Sequence, residues 1–235
     1  MYNGVKIEGF FYNENIYTLI MTIILVFDCE TTGLLPKKKG DAFPLITQLS
    51  FVLYDMEEKN MIQIYDEYVK LPPEVVLPPI VTEVTGITRE TLDKEGLEIR
   101  AVLEAFYEAV LKADVIVAHN MEFDFAVLLS ASANMFTPLE RELHMRSKSL
   151  LCTMKKGVDL CKIERTNSRG PYYKYPTLAE LHTHLFGYVP QNLHDARIDV
   201  LCCLRCFLKM ANVYDVPEPV FLEWIGPAPV MCFWC

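Results

Sequence analysis

The sequence predicts an α/β domain built on a mixed β-sheet, and three observations predict it. Residues 22–27 (TIILVF) are almost wholly β-branched or apolar, as in a buried strand. The segments ITQLSFVLYD (46–55) and MIQIYDEYVKL (61–71) alternate apolar and polar residues across the polar connection 57–60, so they add two antiparallel strands to make a meander. EIRAVLEAFYEAVLK (98–112) then places Val102, Ala105, Phe106, Ala109 and Val110 at helical spacing, and the apolar run 113–119 follows it. Helix followed by short strand is a crossover onto a parallel neighbour, so the sheet is mixed. With 235 residues, 51% hydrophobic and 23% charged, the chain suits one compact domain with a sizeable core.

The other elements follow in order. The apolar stretch 16–27, broken by Thr18 and Thr22, is too short to span a bilayer and runs directly into Asp28. A secretory signal would need a basic start, whereas Lys6 is opposed by Glu8 and Glu14. The expectation is an intracellular protein, cytoplasmic or nuclear, neither secreted nor membrane-bound. Thr31, Thr32 and Gly33 form a turn, and Pro72, Pro73, Pro78 and Pro79 impose an extended connection. Thr88 caps a short helix starting near Glu90, and Asn120 caps another through MEFDFAVLLSASA. Further helices are predicted over 177–186 and 196–211. From Val216 onward, Pro217, Pro219, Pro227 and Pro229 predict an irregular docked extension with no second domain. The organisation is therefore an extension over 1–21, the domain over 22–211, and a Pro-rich apolar tail over 212–235.

The eight cysteines, in a long chain without a signal peptide, read as reduced thiols. Cys203 with Cys206 and Cys232 with Cys235 have C-x-x-C spacing, which structural zinc can use. The first pair lies in the apolar VLCCLRCFLKM and the second in an apolar tail, so packing as small hydrophobes is the simpler reading. A net charge of −9 runs against broad nucleic-acid binding. Metal-binding acids would account for part of it, and basic stretches occur at Lys37, Lys38 and Lys39, at Lys155 and Lys156, and from Lys162 through Arg165 and Arg169 to Lys174. Each of these stretches also reads as a solvated loop.

Four acids and a histidine carry the chemistry. Asp28 and Glu30, two apart at a strand end, project to one face and offer hard oxygen ligands suited to Mg2+ or Mn2+. Asp124 lies in the first turn of the helix after Asn120, where the helix dipole favours an acid even without metal. If strand 113–119 lies parallel beside the first strand, Asp124 reaches the same sheet edge as Asp28, where ligands of open α/β sheets bind. Asp199 interrupts the apolar face of the last long helix, a costly placement unless the acid is paired or metal-bound. His194, just before that helix, carries an imidazole that could take a proton from water. His119, His144, His182 and His184 read as strand-end, loop or helix-surface residues without chemistry. The constellation predicts metal-dependent phosphodiester hydrolysis.

The blocks FDCETTGL, AHNMEFDFAVL and HDARID resemble the three motifs of the DEDDh family of 3′-to-5′ exonucleases, a group that includes the proofreading subunit of the bacterial replicative polymerase. VTGITRETL and PTLAELHTHLFG resemble its intervening segments, so the likeness runs from about Thr22 to about Met210. It implies a ribonuclease-H-like fold and removal of 5′-mononucleotides from a 3′ end. It further implies that Asp28, Glu30, Asp124 and Asp199 hold two Mg2+ or Mn2+ ions, with Asp28 bridging both, and that His194 is the general base. The backbone at Thr31 would hold the terminal nucleotide and Leu34 would pack on its base. The first 21 residues and the tail ending CFWC have no counterpart in the family pattern. The expected partner is a single-stranded 3′ end, DNA in preference to RNA, with a polymerase as a second partner. An exoribonuclease is the nearest alternative; a non-catalytic nucleic-acid or polymerase binding module on the same fold is the alternative of a different class, and it would be expected to lack a ligand.

Overall fold

The computed structural model describes residues 22–38, 41–133 and 148–226. Its centre is a sheet of β1 (Ile23–Thr31), β2 (Ile46–Asp55), β3 (Asn60–Tyr68), β4 (Val115–Ala118) and β5 (Ser149–Cys152), in the order β3-β2-β1-β4-β5. The β1–β2 and β2–β3 pairs are antiparallel, whereas β1–β4 and β4–β5 are parallel. The sheet is therefore mixed, as the meander and the crossover predict. Around it lie α1 (Pro79–Thr85), α2 (Arg89–Glu95), α3 (Ile99–Lys112), α4 (Met121–Ala131), α5 (Thr153–Cys161), α6 (Leu178–Phe186), α7 (Ala196–Met210) and α8 (Glu218–Ile225). A separate antiparallel hairpin joins β6 (Glu164–Asn167) to β7 (Gly170–Tyr173).

The two-residue period of β1 divides the core. Leu25, Phe27 and Cys29 pack toward Val102, Phe106 and Val110 of α3, with the Phe27 and Phe106 ring centroids 5.1 Å apart. Ile24 and Val26 face the opposite way, into the core shared with Leu201, Leu204 and Leu208 of α7. Asp28 and Glu30 continue this second series, so the strand's own period aims both acids toward the α7 side of the sheet.

Several expectations are corrected. Asn120 occupies the N-cap position of α4 but makes no side-chain cap bond; its φ of 71° instead provides a left-handed turn from β4 into the helix, which asparagine tolerates. Pro79 opens α1 rather than extending the connection, since proline at a helix start forfeits no bond. The segment expected to be irregular after Val216 contains α8, docked by the buried Phe221 and by Arg197, whose guanidinium donates to the carbonyls of Trp224 (3.3 Å) and Ile225 (3.2 Å). His182 is not on a helix surface. It is buried, accepting from Arg205 at 3.2 Å and donating through Nδ1 to the Tyr188 carbonyl at 3.1 Å, and burial pushes its pKa down to about 4. Arg205 is itself buried against the rings of Phe186 and Phe221, which ties α6, α7 and α8 together.

Thr88 and Thr177 cap their helices, Thr177 through a full capping box with Glu180. Cys203 and Cys206 are buried inside α7. Residues 1–21, Lys39, His144, Pro227, Pro229, Cys232 and Cys235 lie outside the described residues. Among the described residues no helix is long and apolar enough to cross a membrane.

Candidate active site

Three elements bring the acids together. β1 carries Asp28 and Glu30, the first turn of α4 carries Asp124, and the first turn of α7 carries Asp199. Asp124 is buried, and its Oδ1 accepts the Cys29 backbone N–H at 3.2 Å, which locks the α4 start against β1 between the two strand acids. Asp199 Oδ2 accepts the backbone N–H of His194 at 3.3 Å. Glu30, His194 and Asp199 each place a ligand atom within 4.8 Å of the others. His194 is exposed, and its φ of 74° turns the chain sharply just before α7.

Electrostatics show how crowded the cluster is. Two full charges 4.8 Å apart repel by about 3 kcal/mol at an effective dielectric of about 20, which is enough to hold protons on acids in a protein site. Burial raises the Asp28 pKa well above its usual value, and the negative fields of Asp124, Asp199 and Glu30 add to it. Glu30 is pushed up to about 8 by burial, then by Asp199 and Asp195, and Asp199 to about 7 by burial and Asp195 against the opposing His194 N–H. Asp124 is raised chiefly by burial in spite of the Cys29 N–H.

The residues fit divalent cations. Asp199 Oδ1 is buried without a hydrogen-bond partner among the described residues, a costly state for an acceptor that a cation would relieve. Hard carboxylate oxygens from Asp28, Glu30, Asp124 and Asp199, with no thiolate in the group, suit Mg2+ or Mn2+ better than soft-ligand metals.

Thr31 ends β1 in a buried position, its hydroxyl donating to the Gly33 carbonyl at 2.7 Å. Three residues on, Leu34 is 82% exposed, an apolar platform beside the acids in sequence. Two residues of this region were missed. Asp195 caps α7 by accepting the N–H groups of Arg197 and Ile198, and it adds negative potential at Asp28, Glu30 and Asp199. An Asp immediately before a helical period is a cap signal that could have revealed it. Gln48 pairs with Glu30 across β1–β2, donates to Asp66 at 2.8 Å and accepts the Ala196 N–H at 3.3 Å, so it tethers the α7 N-terminus to the sheet. Only its polarity inside an apolar strand marked it.

The exonuclease family model, RNase T type, matches residues 25–207. The DNA polymerase III PolC-type protein of Streptococcus pneumoniae is 31% identical over 178 residues, covering 75% of this chain and 11% of that protein, so the chain spans only a small part of this curated relative. E. coli Exonuclease I in complex with a dT13 oligonucleotide superposes with a TM-score of 0.62 at 22% identity, over 80% of this chain and 41% of that one. A zinc-bound form of that enzyme with single-stranded DNA gives 0.61 at 20% identity, over 87% and 43%. These structural likenesses carry the ribonuclease-H-like fold. With a family match spanning all three acidic blocks and a nuclease fold beneath them, the chain belongs to the RNase T family of DEDD-type 3′-to-5′ exonucleases, which are nuclease hydrolases.

Proposed function

We propose that this protein removes 5′-mononucleotides from the 3′ end of single-stranded or frayed DNA, using two divalent ions held by Asp28, Glu30, Asp124 and Asp199. The observation that carries the reading is the convergence of four acids from three elements on one edge, with Asp199 Oδ1 left unpartnered among the described residues and His194 beside Glu30 and Asp199. When bound, the ions supply positive charge at the scissile phosphate and at the attacking and leaving oxygens. The chain's own residues do the rest. Asp124 fixes the start of its helix against β1, His194 takes the proton of the attacking water from its exposed position, the backbone at Thr31 holds the terminal nucleotide, and Leu34 packs on its base. DNA is favoured over RNA because the relatives named above are a DNA polymerase and an exonuclease solved with oligodeoxynucleotide. Similarity to a segment of a polymerase chain also supports a polymerase as partner.

The test is incubation of the protein and its Asp28→Ala variant with 5′-labelled single-stranded DNA and RNA in Mg2+ or Mn2+, with products resolved by length. A ladder shortening from the 3′ end, on DNA in preference to RNA and absent with the variant, is the expected result. No ladder on either substrate would overturn the proposal in favour of a binding module, and shortening of RNA alone would make the enzyme an exoribonuclease.

A further inference from the structure

We propose that the β6–β7 hairpin is an arm that grips the substrate strand upstream of the 3′ end; this deepens, and rests on, the exonuclease reading above. The hairpin stands apart from the main sheet as its own two-stranded unit. A two-stranded ribbon contributes little to a core, so its composition is free to serve the surface it presents. That composition opposes the rest of the chain: residues 162–174 carry Lys162, Arg165, Arg169 and Lys174 against the single acid Glu164, in a protein of net charge −9. Lys174 is taken up by Glu180 at 2.6 Å, whereas Lys162, Arg165 and Arg169 are exposed and have no ion pair among the described residues.

Aromatic rings lie among these cations. Tyr172, Tyr173 and Tyr175 are 45%, 46% and 57% exposed. Arg165 pairs directly with Tyr172 across the hairpin, so the guanidinium and the phenol ring share one face. A phosphate-binding group beside a stacking surface is the combination that holds single-stranded nucleic acid without reading its sequence, whereas an acidic protein partner would use the cations alone. The tip is shaped to project: the Arg169 N–H donates to Asn167 Oδ1 at 2.8 Å, and Gly170 at φ 113° closes a tight turn.

The root of the arm is tied to the residue that leads into the Asp124 helix. Just past β7, the Pro176 carbonyl accepts from His119 Nε2 at 3.1 Å, while His119 Nδ1 accepts from the Thr153 hydroxyl at 3.0 Å. His119 immediately precedes Asn120, which starts the helix bearing Asp124. Lys155 is ion-paired with Glu122, in the same first helical turn as Asp124, and its pKa is raised first by that partner and least by Tyr175. A strand whose 3′ end lies among the acids therefore has a basic, aromatic surface within reach as it leaves the site.

The experiment compares the full chain with an Arg165→Ala/Tyr172→Ala variant, and with Arg165→Lys/Tyr172→Phe as the conservative control. Hydrolysis of a thymidine dodecamer and of a thymidine dinucleotide is followed in Mn2+, and binding of a labelled dodecamer is followed by anisotropy in EDTA over a salt series. The alanine variant is expected to raise KM for the dodecamer roughly tenfold or more, given the usual contribution of base stacking, and to flatten the salt dependence of binding. Its kcat, its dinucleotide hydrolysis and its melting temperature should stay at wild-type values, and the conservative variant should recover most of the dodecamer affinity. Unchanged dodecamer KM and binding would overturn the arm while leaving the exonuclease reading intact. An equal loss on the dinucleotide would overturn it too, since the hairpin would then only support the site. If the wild type cleaves neither substrate, the exonuclease reading falls, and loss of dodecamer binding in the alanine variant would still uphold the arm.

Discussion

His194 stands just outside α7, exposed, with its backbone N–H held by Asp199 while its ring is left for chemistry. A ring within 4.8 Å of Glu30 and Asp199 is placed either to accept a proton from water or to ligate a cation directly, and the two roles predict different variants. As a general base, His194→Ala lowers kcat by about 10²- to 10⁴-fold while Mn2+ binding, followed by calorimetry, is retained. Loss of Mn2+ binding in that variant would make the residue a ligand instead. At Leu34, 82% exposed, truncation to alanine should raise KM for single-stranded DNA several-fold with little change in kcat, because the proposed packing on the terminal base would act in ground state and transition state alike. A matching fall in kcat would refute that uniform-binding role. Both residues were legible from their motifs. Gln48 was not, because its importance comes from what it meets across the fold, whereas Asp195 carried a local cap signal that went unread.

The N-terminus of α7 is the element whose position decides the site, since it delivers both His194 and Asp199. Asp195 caps it from within the segment, and Gln48 reaches it from β2 while holding Asp66 on β3. Burial keeps the Asp66 carboxyl up at about 6 even with the Gln48 amide beside it. Gln48→Ala leaves the Ala196 N–H and the Asp66 carboxyl short of partners, a loss of about 1–3 kcal/mol by chemical denaturation. The same variant should lower kcat more than it raises KM, because the residues proposed to hold the terminal nucleotide, Thr31 and Leu34, lie elsewhere. A variant that is destabilised but turns over normally would reduce Gln48 to a strut. The sequence located α7 closely because its apolar spacing is long and regular. It missed α1 and α5, which start without a capping side chain, whereas α2 and α6 of the same lengths are announced by Thr88 and Thr177, and it missed β5, whose four residues are too few to show a period. It also took α8 for irregular chain, because prolines were read as breakers where Pro219 sits in a first helical turn.

For the whole molecule, the clustered acids couple stability to pH and to metal. A carboxyl whose folded pKa lies above its unfolded one keeps its proton in the fold and releases it on unfolding, so stability falls as pH rises between the two values. Glu30 (about 8 against 4.5) and Asp199 (about 7 against 3.8) act this way, as do Asp28 and Asp124. Buried His119 and His182, both lowered to about 4 from 6.5, act in the opposite sense, but only below pH 6.5. Between pH 6.5 and 8 the acids alone remain, so the metal-free protein should melt at lower temperature at pH 8 than at pH 6.5. Asp28→Asn should flatten that difference and raise the metal-free melting temperature, since it removes a repulsive charge while abolishing hydrolysis. Mg2+ or Mn2+ should stabilise the wild type more at pH 8 than at pH 6.5, because ligands must be deprotonated to bind. A melting temperature that is flat across that range, with no response to metal, would refute the mutual repulsion.

Local pattern by itself determined the mixed sheet and the helices over 99–112, 178–186 and 196–210, and it singled out the five side chains proposed as reactive, since period and motif spacing are properties of contiguous residues. Tertiary structure alone decided that Asp124 would be pinned to the Cys29 N–H, that Asp199 would keep one oxygen buried and unpartnered among the described residues, and that Gln48 would bridge two strands and a helix. It also tied the segment just past the basic hairpin to the residue preceding the Asp124 helix, through the bond from His119 to the Pro176 carbonyl. These relations join residues as far apart in sequence as 48 and 196, and only packing the chain around one sheet brings such groups within hydrogen-bonding distance.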